Sequence, residues 1–430
     1  MSGQETPEGA AVIPAVGSPG SLSAVRSLGR RGVRTIAVSS HDRRPTFAST
    51  YCQEAVDAPT PRKNLQGYRD RLLELAARDG VESILPMREQ DVYVLARNRS
   101  RFAEHVDPLW PNADQLETVH DRRQLYEVAR RAGITVPESH PLPNVDSWDR
   151  EWVVKARYAL RAPAYAQTAP RGQCRVPPTT CFPDPGSRPA IEELIERMGH
   201  VPLAQEFLPG EEFCFRALCV EGSVVTTSQK RLVRGYKYAR GPSICHEAVR
   251  SPRLERLGRT LLEALDWHGV ASVGFMRDRT GAFTLLELNP RFWANLPMDV
   301  RAGVDYPWYF WERAVGNRAD WTEGDPQCSG NRCPPSPESV RGEQRRTDGG
   351  SPHAGYREGT VTHLLRGELV HLHSVAAEEY PLVERPPLRT VASEVGRSLV
   401  RHPNFDMLSL RDPKPFLRDT ANAFGSLFDR

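Results

Sequence analysis

Lysine is scarce in this chain. Of 57 basic residues among 430, only Lys63, Lys155, Lys230, Lys237 and Lys414 are lysine. Arginine serves elsewhere, so a retained lysine marks a place where a compact point charge was needed. Long apolar runs are missing too: none approaches the roughly 18–20 residues of a membrane-spanning helix. The opening "MSGQETPEGA" lacks the basic start and apolar stretch of a secretory signal, so a cytoplasmic location is expected. A net charge of +3 is too small to argue for a nucleic-acid or membrane partner, and no basic, aromatic-laced segment supplies one locally. The cysteines (Cys52, Cys174, Cys181, Cys214, Cys219, Cys245, Cys328, Cys333) contain no CxxC and have no complementary histidine pair. Free thiols are expected rather than a disulfide or zinc framework.

What is present first is alternation. "AAVIPAV" (10–16) reads as a buried strand, and a Gly/Ser/Pro turn follows it. A helix with Leu22, Val25 and Leu28 on one face is stopped by Gly29 and Gly32, and "TIAVSS" (35–40) is the next strand. An amphipathic helix through Leu65, Tyr68, Leu72 and Leu75, the strand "SILPM" and the helical "DVYVLARNRSRF" continue the pattern to about residue 110. This predicts an N-terminal doubly wound parallel sheet. Gly17 and Gly20 stand where a dinucleotide fingerprint would begin, but the full GxGxxG is absent, which leaves a tight turn. If this sheet builds one wall of a site, Gly17–Gly20 and Met87–Asp91, at the C-terminal ends of its strands, would lie near substrate.

Beyond it, 121–139 reads as a helix ending at Gly133 and a strand entering Val-Pro, and "EWVVKAR" as a strand. Residues 161–189 are proline-rich, and a helix falls near 190–198. A hairpin turns at Glu221-Gly222, a helix runs through Leu254–Leu265, and a second hairpin ends in "TLLELNPRFW" (284–293). Residues 325–355, rich in Pro, Gly, Ser and Arg and poor in large apolar residues, should be a disordered loop or linker. "GTVTHLLRGELVHLHSV" (359–375) looks strand-like.

In a strand, residues two apart share a face. Glu287 and Asn289 therefore project together, with Leu286 and Leu288 opposite. A solvated face would give the same pattern, but two oxygen donors beside Arg291 also suit a cation and a phosphate: magnesium takes one or two carboxylates plus phosphate oxygens, and arginine past the strand end can reach a γ-phosphate or a tetrahedral centre.

Four motifs occur in one order: Lys155 in "VVKAR", "QEFLPGEEF" (205–213), "SQKRL" (228–232) and "LLELNPR". Together they resemble the ATP-grasp superfamily over roughly residues 10–320. "NFDMLSLRDPKPFL" (404–417) is similar to the end of uncharacterised carboxylate–amine ligase-like members. The resemblance implies a fold with two antiparallel lobes behind the N-terminal sheet. The implied divisions are 1–115, a small lobe at 116–210, a large lobe at 211–320, the linker at 325–355 and an extension at 356–430. It implies ATP with Mg²⁺ (Mn²⁺ as a stand-in), held by Glu287 and Asn289. Lys155 would contact the α-phosphate region, and Arg122, in the pair Asp121-Arg122, would replace a phosphate lysine. The backbone of Glu206, Phe207 and Leu208 would meet adenine with Gln205 beside its amino group, and Glu212 would hold ribose. Lys230 or Arg231 would reach phosphate or substrate, and Arg291 and Arg231 would act in catalysis. The activity implied is an ADP-forming ligase for a small carboxylate and an amine, with a homodimer allowed.

The sequence departs from the pattern where the family carries a second metal-binding glutamate: the triplet here is Val273-Gly274-Phe275. A glycine-rich loop is also hard to find in 161–189. A nucleotide-binding protein with little or no ligase activity is the alternative.

Overall fold

The computed structural model describes residues 9–316, except 166–168, 171, 179 and 185, and residues 356–428, except 381. The expected linker at 325–355 lies outside the described residues. No helix among the described residues is long and apolar enough to cross a membrane.

The first sheet is parallel, with strands in the order β3-β2-β1-β4. Its elements are β1 (Ala10–Pro14), α1 (Pro19–Gly29), β2 (Arg34–Ser39), β3 (Glu54–Asp57), α2 (Leu65–Ala76), β4 (Val81–Ile84) and α3 (Glu89–Arg97). Side chains of β1 alternate between two cores. Ala10 and Val12 pack with Tyr68, Leu72 and Val92, while Ala11 and Ile13 pack with Ala24, Val25 and Leu28 of α1. Helices thus cover both faces, as the alternation predicted. Strand β3 was not foreseen: only Val56 of its four residues is buried, so it carries little hydrophobic signal.

Gly20 has a packing reason. A Cβ there would stand 2.5 Å from the carbonyl oxygen of Trp293, so the missing side chain lets α1 approach the segment that follows the Asn-Pro-Arg motif.

Helices α4 (Arg99–Ala103), α5 (Ala113–His120) and α6 (Arg122–Arg131) lead to a small antiparallel sheet ordered β5-β8-β6-β7. It contains β5 (Ser139–Pro141), β6 (Trp152–Lys155), β7 (Thr180–Cys181) and β8 (Leu203–Glu206), with α7 (Ile191–Met198) packed on its own core of Trp152, Val154, Leu194 and Met198. The strand expected directly after Gly133 does not form there. Residues 134–138 are irregular, Pro137 among them, and β5 begins only at Ser139.

The third sheet is antiparallel, in the order β13-β12-β9-β10-β11-β14. Its strands are β9 (Glu211–Val220), β10 (Ser223–Lys237), β11 (Arg240–Ala248), β12 (Gly269–Arg277), β13 (Phe283–Asn289) and β14 (Val361–His363). The foreseen turn joins β9 to β10 with Glu221 at φ 50° and Gly222 at φ 77°, the left-handed pair of a tight hairpin. Helix α8 (Pro252–Ala264) packs on this sheet through Leu254, Leu261 and Leu262. After α9 (Leu296–Ala302), α10 (Tyr306–Ala314) places Tyr306, Phe310 and Trp311 in the core that also holds Ala11 and Ile13.

Residues 359–375 correct the sequence reading. Only Val361–His363 is strand, and α11 (Leu365–Ala377) follows it, with α12 (Leu388–Arg401) and α13 (Lys414–Phe428) beyond. The buried positions of α11 are Gly367, Glu368, His371, Ser374 and Val375, at helical spacing but largely polar. A hydrophobic pattern could not reveal them.

Candidate active site

Strand β13 is bulged beside Glu287. Gly274 pairs with Glu287 but Phe275 pairs with Leu285, which leaves Leu286 as the extra residue. Strict alternation therefore fails: Leu285 and Leu288 are buried, while Leu286 is only half-buried and its carbonyl accepts from Tyr126 Oη at 2.8 Å. Glu287 and Asn289 still share a face, and Asn289 Nδ2 donates to Glu287 Oε1 at 3.0 Å.

Three other elements bring charge to that face. Arg122, the first residue of α6, donates from Nη2 to Glu287 Oε2 at 3.0 Å and from Nη1 to the Ala156 carbonyl at 2.6 Å. It is 8% exposed, and its buried Nε has no hydrogen-bond partner. Lys155, at the end of β6, acts on Glu287 by its charge. Arg291 donates to Asn289 Oδ1 at 3.2 Å and from Nε to Glu89 Oε1 at 2.9 Å. Burial pushes the Glu287 carboxyl upward, but Arg122, Asn289, Lys155 and Arg291 outweigh it and hold it below the usual range.

His120 was not foreseen, and Glu89 only as part of the 87–91 stretch expected near substrate. Glu89 Oε2 meets His120 Nε2 at 3.0 Å, and His120 Nδ1 meets Tyr165 Oη at 3.0 Å. Burial again opposes ionisation of Glu89, and the charge of Arg291 with the His120 bond holds its carboxyl below the usual range. A polar chain thus runs from Tyr165 through His120, Glu89, Arg291, Asn289 and Glu287 to Arg122. Both residues had sequence cues: Glu89 lies in the 87–91 stretch at a parallel strand's end, and His120 directly precedes the Asp121-Arg122 pair.

Glu89, His120, Arg122, Glu287, Asn289 and Arg291 line a cleft of about 640 Å³, while Tyr165 and Lys155 are not part of its lining. Four loops at the C-terminal ends of the parallel strands contribute to it: Gly17 and Ser18, His41 and Arg44, Thr60 and Arg62, and Met87 to Gln90. That is where open α/β sheets bind ligands. Pro19, Gly20 and Asp91 do not line it. Asp91 is fully buried and accepts from Tyr68 Oη at 2.8 Å, Arg88 Nε at 3.0 Å and the Met87 amide at 3.1 Å, so it braces the loop from behind.

The remaining expected residues stand apart from the cleft lining. Gln205 is buried and accepts from Tyr126 Oη at 3.3 Å. The amide of Glu206 donates to the Glu138 carbonyl at 3.0 Å and that of Phe207 to the Glu151 carbonyl at 2.9 Å, so neither is presented to a purine edge in this state. Leu208 follows directly, just past the end of β8. Glu212 lies on β9, with its Oε1 3.9 Å from Nζ of the 3%-exposed Lys230. Arg231, the next residue on β10, faces the other way and bonds Glu247 Oε2 at 2.6 Å. Lys230 takes the inward position of the two, and Arg231 is not brought to the site.

Glu287 and Asn289 are oxygen donors that suit a hard divalent cation, and Gly274 offers none opposite them. A Cβ built on Gly274 would meet Glu287 Cγ at 3.6 Å, ordinary contact, so the place for a second acid is open. Elsewhere, ligand atoms of Cys245, His363 and Glu368 lie within 4.8 Å of one another. Glu368 is already ion-paired with Arg234 at 2.8 Å and bonded to His363 Nδ1 at 2.8 Å, a network that serves packing.

Residues 200–331 match a family model described as ATP-grasp in the biosynthetic pathway with Ter operon. None of the curated proteins matches the chain. Among solved structures, a Rhizobium etli pyruvate carboxylase with acetyl coenzyme A is 16% identical at a TM-score of 0.53, over 72% of this chain and 28% of that one. The biotin carboxylase domain of Hydrogenobacter thermophilus 2-oxoglutarate carboxylase, with MgADP, ADP and bicarbonate, is 16% identical at 0.52, over 73% and 70%. A Campylobacter jejuni biotin carboxylase complex is 16% identical at 0.51, over 72% of each chain. At such identity the likeness concerns the fold, and the chain spans well under a third of the Rhizobium enzyme.

Proposed function

We propose that this chain, a member of the ATP-grasp superfamily, is an ATP-dependent, ADP-forming ligase that activates a small carboxylate as an acyl-phosphate for attack by an amine. The observation that carries the reading is the convergence at one side of the cleft of Glu287 and Asn289 from β13, Arg291 from the turn after it and Arg122 from α6. Residues 1–115, 116–210 and 211–320 are taken as its N-terminal domain and two lobes, and 356–430 as an extension.

In this reading a carboxylate oxygen attacks the γ-phosphorus, the bond to the β-phosphate oxygen breaks, and ADP leaves. The amine then attacks the acyl carbon, phosphate departs, and the amine proton is released. The protein's part is positioning and charge stabilisation. Arg291, oriented by Glu89 and Asn289, faces charge that develops on the transferred group. Arg122 and Lys155 take the phosphate charge, with Arg122 exchanging its bond to Glu287 for one to phosphate. Magnesium, held by Glu287 and Asn289, would supply neutralisation between phosphate oxygens. The adenine is assigned to the Gln205–Leu208 stretch, with Glu212 toward ribose and Lys230 beside it. This assignment requires the amides of Glu206 and Phe207 to exchange partners or the carbonyls to serve instead.

The test is Mg²⁺-dependent ADP release across a panel of carboxylates and amines, parent against Glu287→Ala, with ATP binding followed by calorimetry. ADP release that needs both a carboxylate and Glu287 supports the ligase. A second reading, nucleotide binding without turnover, is favoured by Gly274 opposite Glu287. Tight ATP binding with no ADP from any pair would select it.

A further inference from the structure

Resting on the ligase reading, we infer that the carboxylate substrate carries a second anionic group, a carboxylate or a phosphate, which Arg44 and Arg88 receive with Arg62 beside them. The cleft lining holds five arginines (Arg44, Arg62, Arg88, Arg122 and Arg291) against two acids, Glu89 and Glu287. Three of the five have carboxylate partners: Arg122 with Glu287, Arg291 with Glu89, and Arg88 with Asp91 at 2.8 Å. Arg44 and Arg62 have none among the described residues. Arg44 bonds only the Ser39 hydroxyl, from Nε at 3.2 Å, and Arg62 is exposed at the cleft.

The placement of Arg44 is costly as it stands. Burial disfavours its charge, and the neighbouring charge of Arg88 disfavours it further. The two like charges act on each other at the cleft wall, and an oxyanion between them relieves that. Arg88 keeps Nε and Nη2 on Asp91 and Tyr68, so its Nη1 is the group left to turn to the anion, while Arg44 can offer both terminal nitrogens. Gly17 makes room for this. A Cβ there would stand 2.9 Å from Arg44 Nη1, so a larger residue would push this flexible guanidinium aside from its present place. The wall continues in Ser18, Ser40 and Thr60, hydroxyls that can donate to the same anion. It is built entirely from the loops of the parallel sheet. Glu287, Asn289, Arg122 and Arg291 come from β13, the turn after it and α6, so the two sets of cations serve different parts of the bound reactants. Nucleotide phosphate falls to the second set.

The test compares succinate, glutarate and adipate with butyrate, valerate and hexanoate, and adds 3-phosphonopropionate. ADP release is read with parent, Arg44→Gln and the surface variant Arg62→Gln, and binding of the same acids and of ATP is read by calorimetry. A dianion should exceed its monoanion by about tenfold or more in kcat/KM, as expected for one charge-assisted bond. Arg44→Gln should remove that preference, leaving the monoanion rate and ATP affinity as they were. The rank of 3-phosphonopropionate against the diacids distinguishes phosphate from carboxylate. If no acid yields ADP, the ligase reading fails, but a tenfold tighter binding of dianions that Arg44→Gln abolishes would still uphold the anion site. Equal treatment of mono- and dianions by the parent overturns the inference. So does a preference that both variants retain, or an Arg44→Gln protein whose defect is in ATP binding alone.

Discussion

Restoring an acid at position 274 tests the metal side of the site directly. Gly274 is the cross-strand partner of Glu287, and a Cβ there meets Glu287 Cγ at 3.6 Å and Leu286 Cβ at 3.8 Å, without a clash. Gly274→Glu therefore fits, and its effect should be electrostatic. Cross-strand partners place side chains about 5 Å apart. Two carboxylates at that distance repel by about 3 kcal/mol at an effective dielectric near 20. Arg122, 3.0 Å from Glu287, offsets part of this. Replacing a strand glycine returns roughly 0.5–1 kcal/mol. A net loss of about 1–2 kcal/mol is expected without metal. Saturating Mg²⁺ reverses the sign, because a ligand at a hundred times its Kd contributes about 2.7 kcal/mol. The assay is thermal unfolding with ADP present, with and without Mg²⁺, for parent and variant. The variant should melt below the parent in chelator and gain more from Mg²⁺ than the parent does. A variant that responds to Mg²⁺ no more than the parent would refute the assignment of this strand pair as the metal site.

Other consequences follow from the same contacts. Glu89→Gln weakens the hold on Arg291 and His120, and ADP release should fall by roughly 10–100-fold with unchanged ATP affinity, since bonds to charged groups are worth about 1.5–3 kcal/mol; loss of ATP binding instead would reassign Glu89 to the nucleotide. Arg216 is 1% exposed and paired with the fully buried Asp299, which Ser228 and Trp293 also bond. Arg216→Ala leaves that acid unpaired and should cost about 3–5 kcal/mol by denaturant titration, and a loss under 1 kcal/mol would contradict the network. Glu368 is pushed up by burial, but its bonds to His363 and Arg234 bring its carboxyl down to about 2. A lowered folded value means stability present above the unfolded value near 4.3 and lost as pH falls toward 2. Parent stability should drop across that window, and Glu368→Gln should flatten the slope there while lowering stability at neutral pH.

The parallel sheet, both hairpins and the Glu287–Asn289 pair were legible because each rests on local signals: buried strands, left-handed turn residues, a two-residue period. The bulge at Leu286 was not, since the period gives no warning of an inserted residue until the partner strand is known. Arg231 was misplaced for a related reason. Neighbours on a strand face opposite ways, and the sequence could not say whether Lys230 or Arg231 turns inward. Helix α11 hid because its buried face is polar, with Glu368 and His371 bonded to Arg234 and the Gly235 carbonyl on β10. Glu89 and His120 meet across 31 positions, a pairing no spacing rule contains.

The C-terminal extension belongs to the same problem. The buried carboxylate of Asp412 accepts from Arg26 Nε at 2.9 Å, Ser49 Oγ at 2.7 Å and the Thr50 amide at 2.9 Å. Asn422 Nδ2 on α13 donates to the Arg43 carbonyl at 2.8 Å, and α13 covers the 3₁₀ turn at Pro45–Ala48. Arg43 before Arg44 and the stretch 45–50 after it are therefore contacted by a segment more than 350 positions later in the chain. Within the 404–417 motif, Asp412 thus ties α1 to the stretch just after Arg44, through Arg26 on one side and Ser49 and Thr50 on the other.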